Sequence, residues 1–198
     1  MIMKLNFLNF KKILNNNFLF EARPIIVVGV SGGPDSIALA FLLNEWIKNK
    51  KGKLLALIID HNIRKESYLE SIKVKKILNS LNVKNRILRV KKQKVSKLSM
   101  QVARENRLNK IIEYCIRKKI FHIFLGHHYD DNIETYILRK IAGSNLEGLN
   151  SMNLISIYNK VQILRPLLFF KKKDILKFNK MNKLQYIIDP TNNNLKYT

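Results

Sequence analysis

The sequence predicts an α/β protein with a doubly wound parallel sheet. Two observations carry this prediction: short apolar runs alternate four times with segments of helical periodicity, and glycine or polar residues bound each run. Such alternation is typical of βαβ units, in which helices cover both faces of a parallel sheet. Ligands of these sheets bind outside the carboxyl ends of the strands, so the residues after each strand are the candidate site.

Each element is predicted from its own pattern. Apolar side chains recur at helical spacing over residues 4–20, which predicts an opening helix packed on the body. Residues 54–59 form a continuous apolar run, the pattern of a strand buried on both faces. In chain order the predicted strands are Ile25–Val30, 54–59, 86–90 and 121–125, and the helices that follow them are 36–48, 68–81, Met100–Lys118 and 131–142.

The remainder of the chain, residues 143–198, is less regular. Ile155–Tyr158 and Val161–Leu164 predict a short hairpin, and residues 171–181 predict a lysine-rich helix. The sequence stops at Thr198 without a closing element, so we expect either a truncated or a minimal form.

Charge is the most unusual feature of the composition. The 198 residues include 37 Lys and Arg against 14 Asp and Glu, a formal net charge of +23. A positive field of this size concentrates polyanions and favours nucleic acid as a partner. Lysine, asparagine and isoleucine are abundant throughout, as an AT-rich coding sequence would produce, and this bias is the alternative explanation of the charge.

Several protein classes are excluded by what the sequence lacks. Cys115 is the one cysteine, which excludes an intrachain disulfide and a CxxC metal or redox pair. No apolar run approaches the length of a membrane span, and the first residues do not form a secretory signal. We therefore expect no membrane partner and a cytoplasmic protein, or one of the plastid stroma if the gene is organellar. The oligomeric state is open.

The segment after the first strand predicts a phosphate-binding loop. Ser31-Gly32-Gly33-Pro34-Asp35-Ser36 joins a β-branched strand directly to an aliphatic helix. Glycines at such a turn let backbone amides approach an anion, and the helix N-terminus adds partial positive charge. The lysine of the common P-loop is missing, because Ile37 follows Ser36. The loop therefore suits cleavage between the α- and β-phosphates better than γ-phosphoryl transfer; a generic glycine turn is the alternative.

Two further strands end in polar residues at the same predicted edge of the sheet. The second strand ends at Asp60-His61, and the fourth is followed by Gly126-His127-His128-Tyr129-Asp130-Asp131. Adjacent carboxylates need a reason to sit together, because like charges repel. Asp131 and Glu134 are neighbours on the following helix and could receive a cation, either Mg²⁺ or an ammonium group. The alternative is a solvated helix start with Asp130 as its N-cap.

The long predicted helix carries a candidate phosphate contact. Gln101, Arg104 and Arg107 lie along one side at its start. Arginine suits planar, bidentate contact with phosphate. A salt-bridged surface face is the alternative.

Together these residues resemble a known family. The segment at residues 31–36 is similar to the SGGxDS signature of the PP-loop ATP pyrophosphatases, which adenylate a substrate and release pyrophosphate. Within that superfamily the chain resembles the tRNA(Ile)-lysidine synthases. The matching segments, in the family's order, are Asp60-His61 with Arg64, Gln101 with Ala103-Arg104, Gly126-His127-His128 with Asp130-Asp131 and Glu134-Thr135, Gly148-Leu149, Arg165-Pro166-Leu167-Leu168 and Asp189-Pro190-Thr191-Asn192.

The resemblance implies a fold, a reaction and its partners. The fold would be the Rossmann-like, adenine nucleotide alpha hydrolase-like one of PP-loop enzymes. The chain would act as an AMP-forming ligase that uses ATP with Mg²⁺ to join L-lysine to C2 of the wobble cytidine in a tRNA(Ile) with a CAU anticodon. We expect the chain to divide into an N-terminal helix at residues 1–22 packed on the body, a PP-loop ATP-binding catalytic domain at 23–145 and a C-terminal part of the same domain, truncated or minimal, at 146–198.

The resemblance also implies roles for particular residues. ATP would be bound by Ser31, Gly32, Gly33, Pro34, Asp35, Ser36, Asp60 and His61. Asp35 would also assist Mg²⁺, and Arg104 would steady the phosphate charge during adenylation. Asp131 and Glu134 would hold the lysine substrate. His127 and His128 would line the cleft as catalytic candidates whose separate roles are open.

Two other functions compete with a lysidine synthase. A PP-loop tRNA thiolase generally relies on catalytic cysteines or on an iron–sulfur cluster, and Cys115 has no partner cysteine. A non-catalytic nucleic-acid-binding module could keep the nucleotide cleft, but the acidic residues Asp35, Asp131 and Glu134 favour a working site. Many family members continue with an Arg-rich segment and C-terminal tRNA-binding domains beyond the point where this sequence stops.

Overall fold

A computed structural model describes residues 2–60, 66–90, 100–143 and 152–187, without the side chains of Glu66 and residues 100–104. Its elements are α1 (Phe7–Asn17), β1 (Ile25–Val30), α2 (Pro34–Asn49), β2 (Lys53–Asp60), α3 (Glu66–Ser80), β3 (Asn85–Arg89), α4 (Met100–Lys118), β4 (His122–Phe124), α5 (Tyr129–Ile141), β5 (Ile155–Tyr158), β6 (Val161–Leu164), a 3-10 turn (Pro166–Phe169) and α6 (Lys172–Met181). The predicted helices and strands are all present, with ends shifted by a few residues.

The described strands form one sheet in the order β3-β2-β1-β4-β6-β5. All neighbouring strands are parallel except β5, which runs antiparallel to β6. The predicted α/β fold is therefore confirmed, and the predicted hairpin extends the sheet beyond β4. The strand order reverses beside β1, which has β2 on one side and β4 on the other. In open α/β sheets this switch point is where ligands bind.

The sheet separates two apolar layers, and β1 shows why its sequence forms a central strand. Val28 packs into the layer that contains side chains of α1, α2, α3 and α6, whereas Val27 packs into the layer with α4. Successive residues of a strand point to opposite faces of the sheet, and both side chains are fully buried because helices cover both faces. A strand buried in this way needs the unbroken β-branched run found here. Among the described helices, none is long and apolar enough to cross a membrane.

The C-terminal part of the described chain holds the loop that follows β1. The buried Asn179 of α6 donates its side-chain amide to the Pro34 carbonyl at 2.9 Å. Ile187 donates its backbone amide to the Gly32 carbonyl at 2.8 Å. On the same interface, the Phe178 ring lies 6.0 Å from that of Phe41 on α2. Residues on both sides of the predicted boundary at residue 145 thus share one sheet and one core, while the boundaries themselves stay predictions.

We predict that Asn179→Ala lowers the free energy of unfolding by about 1–3 kcal/mol, because the hydrogen bond from this buried amide to the Pro34 carbonyl is lost. Urea denaturation measures this change. Asn182→Ala, which removes an exposed amide bonded only within the end of α6, is the control and should cost about 0.5 kcal/mol or less. Equal losses in the two variants would contradict the interpretation of Asn179 as a brace for the loop.

Candidate active site

The loop between β1 and α2 is a compact turn braced by serine hydroxyls. Ser36 donates its hydroxyl to the Gly33 carbonyl at 3.1 Å, and the same oxygen accepts the Ser31 amide at 3.3 Å. Gly33 is the N-cap of α2 and has no side chain to satisfy the first amides of the helix. Helix starts leave these amides without partners inside the helix. The amides of the first turn, at Asp35 and Ser36, therefore form a local anion site with the helix dipole behind them.

The two glycines of this loop have different structural roles. Gly32 has φ of +93°, and a Cβ atom there would lie 2.5 Å from Cγ2 of Val74 on α3. Its conformation and its close packing both require glycine. Gly33 has φ of −70°, and a Cβ atom there would meet only the Ser31 hydroxyl, at 3.6 Å. Gly33 is therefore needed less by the fold than by whatever approaches the loop.

The tip of β4 meets this loop, as the parallel sheet predicts. A Cβ atom on Gly126 would lie 3.2 Å from the Ser36 amide nitrogen and 3.3 Å from the Asp35 carbonyl carbon. The backbone after β4 thus packs directly against the first turn of α2. His127 follows at this tip and is half-buried, and His128 is buried. The predicted convergence of the first and fourth strand ends is confirmed.

His128 is the N-cap of α5. Its Nδ1 accepts the Asp131 amide at 3.3 Å, while the Asp131 carboxylate accepts the His128 amide at 2.8 Å. Because Nδ1 accepts a hydrogen bond in this box, Nε2 is the ring nitrogen that faces the neighbouring carboxylates. That nitrogen lies 3.7 Å from Oδ1 of Asp35 and 3.5 Å from Oδ1 of Asp131. His128 therefore links the loop after β1 to the acidic start of α5.

The alternative interpretation of Asp130 as the N-cap of its own helix is wrong. Its carboxylate instead accepts the backbone amide of Lys172, at 2.7 Å, and so caps the start of α6. The reason is tertiary: Tyr129 donates its amide to the Phe170 carbonyl at 3.0 Å, which brings the two helix starts together. Three helix N-termini, those of α2, α5 and α6, therefore converge on one place.

Lys172 is the site residue that sequence reasoning missed. Its ammonium lies 2.6 and 2.7 Å from the two carboxylate oxygens of Asp35. The pair is partly accessible, with 37% of the Lys172 side chain and 22% of the Asp35 side chain exposed. No local pattern separates this lysine from Lys171 and Lys173, so its role becomes visible only when α6 is packed against α2.

Asp60 lies at the predicted edge but is engaged by neighbours. Its buried carboxylate accepts the Ser67 hydroxyl at 2.6 Å and lies 3.1 Å from Nε of Arg89 on the adjacent strand. These contacts join the end of β2 to α3 and β3. A role of Asp60 in binding ATP stays a prediction, and His61 lies outside the described residues.

Of the remaining predicted residues, the structure describes the side chain of Glu134 but not that of Arg104. Glu134 is exposed on α5, one turn beyond Asp131. Arg104 belongs to the first turns of α4, and its side chain lies outside the described part of the chain. The roles predicted for Asp131, Glu134 and Arg104 stay predictions.

Asp35 fits the residue type that a magnesium–nucleotide complex needs. Proteins hold Mg²⁺ through one or two carboxylates, with substrate phosphates supplying further oxygens. In the described ranges no group of three or more His, Cys, Asp or Glu side chains is placed to hold a metal ion. Asp35 is a single carboxylate beside the loop amides, which matches a site completed by phosphate. Asp35 would therefore hold the ion together with the nucleotide.

Two ionisable side chains near the sheet have structural roles. Burial lowers the pKa of the Arg165 guanidinium, which donates to the Asn153 carbonyl and the Ser156 hydroxyl, both at 2.9 Å. Arg165 thereby holds the hairpin to the turn that leads into α6. Burial raises the pKa of the Cys115 thiol to about 12, so this thiol stays protonated at neutral pH. Cys115 lies in the apolar layer around α4.

Comparison with known proteins assigns the fold to a family. A family model described as a PP-loop domain matches residues 5–198. The chain belongs to the PP-loop domain family. The loop at residues 31–36 is accordingly called the PP-loop below. The resemblance predicted from the sequence is confirmed at this level, and the ATP-binding family implies that the chain uses ATP.

Curated relatives narrow the similarity. The chain is 35% identical over 178 residues to a tRNA(Ile)-lysidine synthase of Orientia tsutsugamushi (strain Boryong), covering 90% of this chain and 40% of the relative. It is 36% identical over 190 residues to a tRNA(Ile)-lysidine synthase of Wolbachia pipientis wMel, covering 95% of this chain and 44% of the relative. The chain thus spans about two fifths of the length of these relatives.

A solved structure supports the fold independently. The U34-tRNA thiolase NcsA from Methanococcus maripaludis, solved with its 4Fe-4S cluster, matches with a TM-score of 0.78 at 20% identity. The match covers 93% of this chain and 65% of the thiolase. At this identity the likeness shows a shared PP-loop fold alone.

We predict that Gly32→Ala lowers the free energy of unfolding by about 1–3 kcal/mol, because alanine is strained at this positive φ and its methyl group meets Val74. Gly33→Ala is the matched control and should change stability by about 0.5 kcal/mol or less. Thermal or urea unfolding of both variants measures the difference. Two variants of equal stability would show that the PP-loop tolerates a side chain at Gly32.

Proposed function

We propose that this chain forms the catalytic core of a tRNA(Ile)-lysidine synthase. It would join L-lysine to C2 of the wobble cytidine in a tRNA(Ile) with a CAU anticodon, releasing AMP and pyrophosphate. The observation that carries the proposal is the junction of the PP-loop with the acidic start of α5 through His128. An adenylating loop beside carboxylates suited to an amine is the combination that this reaction needs. The identity to the curated relatives supports the same assignment.

The first step would be adenylation of the tRNA base. The C2 carbonyl oxygen of the cytidine attacks the α-phosphorus of ATP, a new P–O bond forms, and the bond to the β-phosphate breaks. Pyrophosphate leaves with the electron pair. The free amides at the start of α2 and the helix dipole would hold its charge. Asp35 would hold Mg²⁺, which neutralises phosphate charge, and Arg104 would contact the phosphate during transfer.

The second step would be attack by the lysine side chain. The neutral form of the ε-amine adds to C2 of the adenylated base, loses a proton to solvent and expels AMP, so that a C–N bond replaces the C–O bond. The amine is positively charged in water and needs anionic partners to be bound. Asp131 and Glu134 on α5 would supply them. His128 orients the Asp131 carboxylate through its backbone amide, which fixes one of these partners. The nucleophile belongs to the substrate, so no enzyme cysteine is needed.

The conversion of the wobble cytidine to lysidine would change how the tRNA is read. A CAU anticodon pairs with AUG, whereas lysidine at the wobble position pairs with AUA. The net charge of +23 supports tRNA as the partner, because phosphate contacts dominate the affinity of proteins for nucleic acids. Anchoring of the tRNA would rest partly on this basic surface.

A tRNA thiolase is the second candidate, favoured by the shared fold with NcsA. The printed sequence has one cysteine, Cys115, and burial raises the pKa of its thiol to about 12. A protonated thiol inside an apolar layer is a poor nucleophile and a poor metal ligand. These observations support the ligase over the thiolase. A non-catalytic binding module would need neither Asp35 nor the acidic turn of α5.

Incubation of the purified protein with unmodified tRNA(Ile), ATP and radiolabelled L-lysine tests the proposal. We predict lysine incorporation that depends on ATP and releases AMP, and its loss in Asp35→Ala. Incorporation of sulfur from a sulfur donor in place of lysine would identify a thiolase. ATP and tRNA binding without either product would identify a binding module.

We predict that Glu134→Ala raises the KM for L-lysine by about 10-fold or more and changes the KM for ATP by less than about 2-fold, since a charge-assisted contact to the ammonium is lost. Steady-state kinetics with each substrate varied in turn measures both values. Glu45→Ala, which removes an exposed carboxylate paired with Lys48 on α2, is the control and should leave both values unchanged. Equal changes in the two KM values would show that Glu134 does not bind lysine.

A further inference from the structure

The PP-loop lacks a lysine in its own sequence, but the fold brings one to it. The common P-loop ends in Gly-Lys-Ser/Thr, whereas here Ile37 follows Ser36 and no lysine is present in the loop. Lys172, the first residue of α6, reaches the first turn of α2 and binds both oxygens of Asp35. A cation is therefore present beside the anion-binding amides, supplied by a different segment of the chain.

The position of this ammonium is set by helix packing. The Lys172 backbone amide is bound by Asp130 of α5 at 2.7 Å. About two turns further along α6, Asn179 donates its side-chain amide to the Pro34 carbonyl of the loop. These two contacts fix α6 against both neighbouring helix starts. The backbone of Lys172 is thus held in place, and its side chain reaches Asp35 of the loop.

The contacts of Lys172 place it between the two halves of the site. On one side is Asp35, in the turn whose amides would hold the departing pyrophosphate. On the other, its backbone amide is bound by Asp130, which lies at the start of α5 beside the capping box of His128 and Asp131 and the proposed lysine site. The phosphate that joins these two halves during the reaction is the α-phosphate.

The ion pair with Asp35 has a poor explanation in stability alone. A partly exposed pair between lysine and a carboxylate contributes about 1 kcal/mol or less. The chemistry of the ammonium offers a better one, because it has three donors and Asp35 takes two of them. The third donor is left for an oxygen of a bound ligand. A polyphosphate beside Asp35 also needs a neighbouring cation to offset the repulsion between them.

We propose that Lys172 binds the α-phosphate of ATP and stabilises the charge that develops there when the bond to the β-phosphate breaks. The proposal rests on the proposed adenylation chemistry and assigns its cation to α6. When Mg²⁺ and ATP are bound, Asp35 would hold the metal and the Lys172 ammonium would be available to the phosphate. Asp35 then serves to hold Lys172 in place before the nucleotide arrives.

Calorimetric titration with AMP, pyrophosphate and ATP, without tRNA or lysine, tests this assignment. In Lys172→Met we expect AMP and ATP to bind about 10- to 100-fold more weakly, the range of a lost charge-assisted hydrogen bond, and pyrophosphate to change by less than about 3-fold. Lys173→Met removes the same charge from an exposed neighbour and should change each affinity by less than about 2-fold. Lys172→Arg should recover most of the lost AMP affinity.

A second comparison separates phosphate binding from the loss of a partner for Asp35. In an Asp35→Asn background the carboxylate is absent, so Lys172→Met no longer leaves a charge unpaired. AMP should still bind about 10-fold or more weakly to the double variant than to Asp35→Asn. Equal AMP affinities in these two proteins, or an equal loss for pyrophosphate and AMP in Lys172→Met, would overturn the assignment to the α-phosphate.

The AMP-binding results do not depend on which molecule the enzyme adenylates. If wild-type protein binds AMP through Lys172 but incorporates no lysine into tRNA(Ile), the proposed function fails and the role of Lys172 stands. If lysine is incorporated and Lys172→Met binds AMP normally, the proposed function stands and the role of Lys172 fails.

Discussion

The turn between β1 and α2 has to present the amides of Asp35 and Ser36 to an anion while its carbonyls are bound, and the surrounding elements meet that constraint. The Gly32 carbonyl is bound by Ile187 and the Pro34 carbonyl by Asn179, both from the far end of the described chain. Gly126 lets the backbone after β4 pack against the same turn. Buried backbone groups without partners are costly, so the loop depends on contacts distant in sequence. The phosphate-binding turn and the C-terminal segment are therefore one structural unit.

The convergence of three helix starts explains the charge arrangement of the site. Each start contributes partial positive charge, and Asp35, Asp130 and Asp131 lie in the first turns of α2 and α5. Asp130 caps α6 rather than its own helix, and His128 takes over the cap of α5. This exchange leaves the imidazole Nε2 facing Asp35 of α2, while Asp130 joins α5 to α6 and Lys172 joins α6 to α2. A bound nucleotide would enter a site whose dipoles are already oriented, and such preorganised dipoles stabilise the charge that develops in a transition state.

Much of the fold could be predicted because its signals are local. The apolar run of β1 and the glycine pair after it identify a buried strand and a phosphate-binding turn from consecutive residues. Lys172 could not be identified in this way, since which of three adjacent lysines points inward depends on how α6 packs on α2. For Asp130 the sequence offers, as the alternative to a site role, only a cap on its own helix, because a cap on α6 depends on packing. The site was therefore predictable where neighbours in sequence create it and not where tertiary packing does.

The likeness to NcsA shows a shared PP-loop fold, and a fold alone does not determine the reaction, so side chains must separate a ligase from a thiolase. Adenylation needs only the loop, a metal-binding carboxylate and a cation near the α-phosphate, which any enzyme of this type could share. The second nucleophile differs: a sulfur carrier demands accessible thiolates, whereas an amine demands carboxylates. Cys115 is sealed in an apolar layer, and burial raises the pKa of its thiol to about 12, while Glu134 is exposed one turn from Asp131. Under the proposed function, the carboxylates on α5 are therefore the residues that would distinguish a ligase from a thiolase.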